Sequence, residues 1–326
     1  MQTFEYIQPK DIKNAASISE KEGDAAILFA GGTDVLGLIK NYIIAPSKVI
    51  NLKSISGLSE INYIEGTGLK IGALTTVGEI ADHRLILDKF TVLSEAAKSV
   101  ASPQLRNLGT IGGNICQRPR CWYFREDFDC IRKGGDLCYA IGAENKYHCI
   151  IGGGPCYIVH PSDIAVALVA LNAKITISNG KNSKQVSANN FFVLPLQDDH
   201  HENILKPGEI ITEIFIPDLP TNTRSMYIKF TERNVWDFAI VSLAAVISKS
   251  GKKIKSAEIV FGGIAPKPWI DENLTRILQG MDLSDKSIEA AAEKALTDAE
   301  PMDKNEYKVP LARNLVKKIL TVLIKN

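Results

Sequence analysis

The residues of this chain best suited to chemistry are its cysteines, which all lie in one stretch. They are Cys116, Cys121, Cys130, Cys138, Cys149 and Cys156, and the rest of the sequence has none. Thiolates crowded in this way indicate a metal or an iron–sulfur cluster. Zinc sites usually take close C-x2-C pairs, which this stretch lacks, whereas a 4Fe–4S cluster can take four thiolates from spread positions on a loop. The spacing therefore favours a cluster, with zinc and metal-free or disulfide-forming thiols as the alternatives.

Two glycine–threonine turns stand well apart in the sequence, at residues 30–34 and 109–113. The first follows an apolar run at 25–29, which predicts a strand, and precedes a second apolar run at 35–39. A strand, a glycine-rich turn and a helix present free backbone N–H groups to an anion. Two such turns indicate a dinucleotide-type diphosphate that is held from two sides. Neither turn fits the G-x-G-x-x-G pattern, so a Rossmann site for NAD is not supported.

Bulk composition excludes several classes of protein. The chain has 326 residues and a net charge of +1, which gives no general basic surface for nucleic acid. No apolar run approaches the roughly 18 residues that span a bilayer, and the first residues lack a secretory pattern, so we expect no membrane association. The expected compartment is the cytoplasm, where clustered cysteines serve as metal or redox groups rather than structural disulfides. Periplasmic export together with a signal-bearing partner would leave the same sequence.

The remaining patterns predict an α+β chain with a domain boundary between residues 178 and 179. The predicted helices lie at residues 9–22, 95–100, 275–280, 287–296 and 309–324. The predicted strands lie at residues 49–52, 69–74, 173–177, 209–216, 227–230, 238–247 and 256–262. The strands after the boundary indicate an antiparallel sheet.

Several motifs, spread over nearly the whole chain, together resemble one known family. The turns Ala30-Gly31-Gly32-Thr33-Asp34 and Thr110-Ile111-Gly112-Gly113-Asn114 are similar to the two flavin-diphosphate loops of the FAD-binding subunit of molybdenum hydroxylases. Residues 206–211 resemble a strand entry of that family, Lys229 with residues 236–241 its lysine and D-x-A-x-V segment, and residues 262–268 its GG-x-AP-x-P turn. The family includes the flavin domain of xanthine dehydrogenase and the medium subunit of aerobic carbon monoxide dehydrogenase.

The cysteine-rich insertion at residues 116–156 narrows this resemblance. Together with residues 160–163 it looks like the branch whose flavin subunit carries an additional 4Fe–4S cluster. That branch includes some bacterial aldehyde oxidoreductases, the closer match, and the β subunit of 4-hydroxybenzoyl-CoA reductase. The closer match implies the cluster ligands Cys121, Cys130, Cys138 and Cys156. The reductase implies a fourth ligand nearer Cys149, and Cys116 is expected to be no ligand.

The resemblance also implies how FAD is bound. The implied cofactor-binding residues are Ala30, Gly31, Gly32, Thr33, Asp34, Val35, Leu74, Thr110, Ile111, Gly113, Asn114, Asp163 and Lys229. Backbone N–H groups of the two turns would hold the diphosphate, with side-chain hydrogen bonds from Thr33 and Asn114. Asp163 would bind toward the ribityl or adenine side. Lys229 would lie near the flavin ring, where a cation stabilises the anionic reduced flavin.

The fold and partners follow from the same resemblance. The expected fold is α+β, with an FAD-binding domain at residues 1–178 in two subdomains, 1–60 and 61–178. A smaller domain at residues 179–326 would carry a three-stranded antiparallel sheet. The expected partners are a molybdopterin-binding large subunit, a 2Fe–2S small subunit and an external carrier such as ferredoxin. No residue resembles a proton-transfer catalyst. Two other hypotheses are a stand-alone FAD oxidoreductase of the same fold and a zinc-stabilised binding module.

Overall fold

The computed structural model describes residues 1–251, 253–282 and 284–325. The strands in these ranges are β1 (Glu5–Ile7), β2 (Ala26–Phe29), β3 (Lys48–Asn51), β4 (Ile61–Ile64), β5 (Gly68–Gly72), β6 (Lys174–Ser178), β7 (Ser183–Ser187), β8 (Ile210–Pro217), β9 (Thr223–Phe230), β10 (Val241–Ser250), β11 (Lys253–Gly262) and β12 (Trp269–Ile270). The α-helices are α1 (Ile12–Glu22), α2 (Val35–Lys40), α3 (Val77–Asp82), α4 (Arg84–Lys89), α5 (Thr91–Ser99), α6 (Pro103–Arg106), α7 (Ile111–Ile115), α8 (Trp122–Arg125), α9 (Asp163–Ala170), α10 (Ala188–Phe191), α11 (Glu272–Leu278), α12 (Asp285–Glu293) and α13 (Lys308–Lys325).

Within the described residues the strands form three sheets. The first has the order β1-β3-β2 and is parallel. The second has the order β4-β5-β8-β6-β7, and the third has the order β12-β11-β10-β9; both are antiparallel. The α+β fold expected from the sequence is confirmed. The C-terminal sheet has a fourth strand beyond the expected three, because the two residues of β12 pair with Val260 and Phe261 of β11.

The predicted boundary between residues 178 and 179 falls inside a β-hairpin. Strand β6 ends at Ser178, which pairs with Ser183 at the start of β7. Strand β8, which the sequence assigned to the second domain, pairs with both β5 and β6 of the first. A domain boundary at residue 178 would therefore separate β8, an inner strand of this sheet, from its neighbours β5 and β6. The chain passes from the second sheet to the third between Pro217 and Thr223.

Helix α9 lies within one hydrophobic core, between α5 and the C-terminal sheet. Its sequence from Asp163 to Ala170 is apolar after the first residue, and every residue in it is buried. A helix that is hydrophobic on all sides must pack on all sides. It lies against α5 on one side and against β10 and β11 on another. The Ser162 hydroxyl accepts a hydrogen bond from the Ala165 N–H and fixes the first turn. This packing sets the position of Asp163 rigidly.

No helix among the described residues is long and apolar enough to cross a membrane.

Candidate flavin pocket and cysteine centre

A cavity of about 700 Å³ opens where the first two sheets and β9 come together. This volume lies within the range of small-molecule and cofactor sites. Of the residues implied as cofactor-binding, those that line the cavity are Ala30, Gly31, Gly32, Thr33, Asp34, Val35, Leu74, Thr110, Gly113, Asn114, Asp163 and Lys229. Ile111 does not line the cavity, because its side chain points from the first turn of α7 into the core and is fully buried.

The first glycine turn, residues 30–34, packs directly against the second. A Cβ on Gly31 would lie only 2.1 Å from the Leu108 carbonyl oxygen, so no other residue fits there without movement. Gly32 has a φ of +72°, the left-handed region that glycine adopts freely. Within the described residues, the N–H groups of Gly32, Thr33 and Asp34 donate to no protein atom. Unpaired N–H groups beside a cavity form an anion-binding concavity.

The second turn, residues 109–113, and the following Asn114 are held by hydrogen bonds within the turn and to neighbouring segments. The Thr110 hydroxyl accepts from the Gly113 N–H at 3.2 Å and caps α7. The Gly112 N–H donates to the Ala73 carbonyl at 2.9 Å. The Asn114 side chain accepts from the Ser162 hydroxyl at 2.5 Å, which joins the turn to the start of α9. The turn is therefore fixed before any ligand binds.

A buried ion pair lies at the α9 side of the cavity. Lys229 Nζ is 2.8 Å from Asp163 Oδ2, and the Tyr227 hydroxyl donates to Asp163 Oδ1 at 2.6 Å. Tyr227 and Lys229 share a face of β9 because they are two residues apart in a strand. Burial and the neighbouring Asp163 carboxylate raise the pKa of Tyr227 well above its ordinary value. The tyrosine therefore stays protonated and donates, so both oxygens of Asp163 have partners.

The Asp34 carboxylate is directed at the cysteine-rich segment. It accepts from the Arg118 backbone N–H at 2.8 Å and from the Arg125 guanidinium at 2.9 Å. The Arg120 guanidinium forms an ion pair with it at 2.6 Å. Burial lowers the pKa of Arg120, and the charge of Asp34 opposes that effect. Three groups that flank Cys121 are thus tied to the last residue of the first glycine turn.

The four implied cluster ligands lie around one small, enclosed cavity. Cys121, Cys130, Cys138 and Cys156 all line it, together with His148 and Arg132. Cys149 is buried outside this cavity, where its N–H donates to the Tyr157 carbonyl at 3.1 Å. Cys116 lines the larger cavity instead. The structure thus brings together the four cysteines that the closer branch of the resemblance implied.

The thiols of this centre are unevenly spaced. Cys138 and Cys156 are close enough to share a hydrogen bond. Among the described residues, no three potential ligand atoms of this group lie within 4.8 Å of one another. The four thiols therefore line one cavity without forming a compact set of three ligands.

Burial and hydrogen bonding shift the pKa values of this centre. The hydrogen bond between Cys138 and Cys156 lowers the pKa of Cys138 to about 7 and raises the pKa of Cys156. Burial raises the pKa of Cys121 to about 12. Burial also lowers the pKa of His148 to about 4, and its Nε2 lies 3.2 Å from Cys121 Sγ. Of the two hydrogen-bonded thiols, Cys138 is thus the one that ionises more readily.

Three further residues shape the centre, and the sequence did not assign them. His148 contacts Cys121 as described above, and it directly precedes Cys149 in the chain. Arg132 Nε donates to Cys156 Sγ at 3.4 Å, and its guanidinium pairs with Glu202 at 2.7 Å. Glu202 belongs to an acidic and histidine-containing run far from the cysteines in sequence. Neither its position nor its spacing signals a role, because only the tertiary fold brings it here.

The paired loops, the cavity they share and the α+β fold define a protein that binds a dinucleotide-type cofactor. Comparisons with known proteins identify the family and the cofactor. Residues 2–219 match the family model of the FAD binding domain in molybdopterin dehydrogenase, and residues 226–323 match that of the CO dehydrogenase flavoprotein C-terminal domain. The first match ends in the connection after β8 and the second begins within β9, which agrees with the sheet pairing described above.

Individual relatives give the same result over the full length. The chain is 32% identical to the aldehyde oxidoreductase FAD-binding subunit PaoB of Escherichia coli, over 98% of both chains. It is 26% identical to the glyceraldehyde dehydrogenase medium chain of Sulfolobus acidocaldarius, over 98% of this chain and 96% of that one. The structure of carbon monoxide dehydrogenase from Hydrogenophaga pseudoflava matches with a TM-score of 0.77 and 25% identity, over 97% of this chain and 96% of that one.

The chain therefore belongs to the family of FAD-binding medium subunits of molybdenum hydroxylases. It is an oxidoreductase subunit whose cofactor is FAD. The family expected from the sequence motifs is confirmed.

Proposed function

We propose that this chain is the electron-transfer subunit of a molybdenum hydroxylase complex and that it carries a 4Fe–4S cluster besides FAD. Substrate would be oxidised at molybdenum in a large subunit, and electrons would pass between the 2Fe–2S centres of a small subunit, FAD and an external acceptor such as ferredoxin. The observation that carries the proposal is the pair of sites built on one segment. Residues 110–125 supply the second glycine turn, Cys121 and the arginines that hold Asp34.

The residues around the larger cavity fit FAD. The unpaired N–H groups of Gly32, Thr33 and Asp34 suit a diphosphate, and the absent Cβ of Gly31 keeps the two turns in contact. Lys229 lies on the cavity wall with its charge balanced by Asp163, so it presents a fixed positive end without adding net charge. FAD, when bound, supplies both two-electron and one-electron transfer.

The residues around the smaller cavity fit a 4Fe–4S cluster. Four thiols, three of them buried, line one cavity, and their sequence positions lack the close C-x2-C pairs that zinc sites usually take. Cys121, Cys130, Cys138 and Cys156 would hold the cluster, with Cys149 outside. The cluster, when bound, supplies one-electron transfer to a carrier. Arg132 Nε donates to Cys156 Sγ, and His148 Nε2 lies 3.2 Å from Cys121 Sγ.

The partner proposal rests on the relatives. The related proteins are named as subunits and medium chains, which implies assembly with other chains. We propose a molybdopterin-binding large subunit and a 2Fe–2S small subunit for this chain. The substrate would bind to the large subunit, so this chain needs no proton-transfer catalyst of its own. Isolation of this chain with molybdenum-containing partners would support the assembly.

The test is anaerobic purification followed by measurement of FAD, iron, sulfide and zinc per chain. We expect about one FAD with four iron and four sulfide. FAD without iron would show a flavoprotein without the cluster. The alternative of a stand-alone flavin oxidoreductase would then be supported only if this chain alone oxidised a substrate. Zinc without FAD would overturn the proposal in favour of a binding module.

The ligand set is tested by two matched substitutions of buried cysteines. Cys156→Ser removes a sulfur that lines the small cavity, and Cys149→Ser removes one that does not. We expect iron to fall in Cys156→Ser and to stay at the wild-type level in Cys149→Ser. The reverse pattern would assign the fourth ligand to Cys149. FAD content serves as the measure of intact folding in both variants.

A further inference from the structure

Arg132 is a buried cation that faces the cysteine centre. Its side chain is 1% exposed, and its Nε lies 3.4 Å from Cys156 Sγ. It is the one Lys or Arg side chain among the described residues that line the small cavity. A guanidinium is always charged and offers its N–H groups in a fixed planar fork. The position of Arg132 therefore places one permanent positive charge and one N–H donor at the sulfur of Cys156.

Glu202 holds Arg132 in this position. The Glu202 side chain is 3% exposed, and its Oε1 lies 2.7 Å from Arg132 Nη1. Its Oε2 lies 2.8 Å from Arg118 Nε as an ion pair that lacks hydrogen-bond alignment. A buried charge of this kind persists only when it is paired, and here one carboxylate pairs with two arginines.

This arrangement costs desolvation energy that an apolar contact would not. Replacing a buried ion pair with apolar side chains is often neutral or stabilising, so the pair is weak evidence for stability as such. Its geometry instead aims a donor at one sulfur, although the guanidinium could have pointed wholly at Glu202. Hydrogen bonds to the sulfur atoms and nearby charge are among the levers that set the potential of an iron–sulfur cluster.

We propose that Arg132, held by Glu202, is a positioning residue that raises the reduction potential of the cysteine centre. The inference rests on the proposed function, since it takes the centre to be a 4Fe–4S cluster ligated by Cys156. Reduction adds one negative charge to a group already bound by four thiolates. A fixed cation and an N–H donor at Cys156 stabilise the reduced state more than the oxidised state, because their attraction grows with that added charge.

The test is the midpoint potential of the iron–sulfur centre in the purified protein, followed by electron paramagnetic resonance during redox titration. Arg132→Gln removes the charge, and Arg132→Lys keeps it but loses the planar fork. Lys133→Gln is the matched control: the same charge is lost one residue away, where Lys133 Nζ donates to the carbonyl of the exposed Glu126. We expect a lower potential in Arg132→Gln, by about a tenfold change in the oxidised-to-reduced ratio, or 59 mV for one electron.

The outcomes separate this inference from the proposed function. A wild-type protein without iron would overturn the cluster and the inference with it. A wild-type protein with four iron, whose potential is unchanged in iron-containing Arg132→Gln, would overturn only the inference. Arg132→Lys, which keeps the charge but loses the planar fork, should fall between wild type and Arg132→Gln. Should Arg132→Gln lose iron, the double variant Arg132→Gln with Glu202→Gln decides, because it removes the cation without leaving the Glu202 carboxylate unpaired. Full iron with a potential below wild type supports the inference, whereas full iron at the wild-type potential, or loss of iron from the double variant too, assigns Arg132 a purely structural role. Lys133→Gln should keep the wild-type potential.

Discussion

Gly31→Ala tests whether contact between the two glycine turns builds the flavin pocket. The new Cβ would lie 2.1 Å from the Leu108 carbonyl oxygen and 2.8 Å from Gly109 Cα, whereas real Cβ contacts stay beyond 3.0 Å. The turns must therefore separate by about 0.9 Å, the difference between 3.0 and 2.1 Å. Overpacking of this size costs about 1–3 kcal/mol. The second turn supports the first, whose unpaired N–H groups would hold the diphosphate, so we expect the separation to lower FAD affinity by roughly tenfold to a hundredfold.

The assay is titration of apoprotein with FAD, followed by flavin fluorescence, together with thermal unfolding of the same samples. Gly37→Ala is the matched control, because it lies in α2 just beyond the first turn and its new Cβ would meet nothing within 4 Å. Alanine there should leave FAD affinity unchanged and stabilise the helix by about 0.5–1 kcal/mol. Wild-type affinity in Gly31→Ala would refute the argument that this contact sets the pocket.

Three further predictions concern buried polar groups. Asp34→Asn should lower FAD and iron content together, since about 1.5–3 kcal/mol of charge-assisted bonding to the cysteine segment is lost; loss of only one cofactor would contradict this. Lys308→Met should lower the free energy of unfolding in urea by about 3 kcal/mol or more, because the carbonyls of Tyr147, His148 and Gly263 lose their donor. Burial lowers the pKa of His160 from 6.5 to about 4. The neutral imidazole therefore contributes fully to the free energy of unfolding above pH 6.5, and this contribution is lost as the pH falls toward 4. In His160→Gln the melting temperature should therefore depend less on pH between 6.5 and 4 than in the wild type. An unchanged pH dependence would contradict the prediction.

Local patterns predicted much of the secondary structure of this chain. The apolar run at 25–29 is the strand Ala26–Phe29, and the run at 35–39 is the helix Val35–Lys40. Both depend on short-range signals, namely apolar spacing and the glycine turn between them. The domain boundary depends on long-range pairing instead. Nothing local in residues 210–217 indicates that they pair with residues 68–72 rather than with the following strands.

The flavin turns were predictable because their function requires glycine and threonine at fixed spacing. The direction of the Asp34 side chain was not predictable, since it depends on three groups more than 80 residues away in sequence. The choice between Cys149 and Cys156 was equally open, because both lie in loops and the two related branches imply different fourth ligands. In the structure Cys156 lines the small cavity with the other three implied ligands, whereas Cys149 is buried outside it.

The two candidate cofactor sites share structural elements, so a change at one site should be measurable at the other. The first glycine turn contacts the second through Gly31 and Leu108, and Asp34 binds the arginines beside Cys121. Glu202 extends these contacts through Arg118 and Arg132 to Cys156. Coupling between two binding sites is reciprocal, so if the cysteine centre strengthens FAD binding, FAD must strengthen binding at the centre by the same factor. A medium subunit that lacked the four cysteines would have to hold the first glycine turn by other contacts.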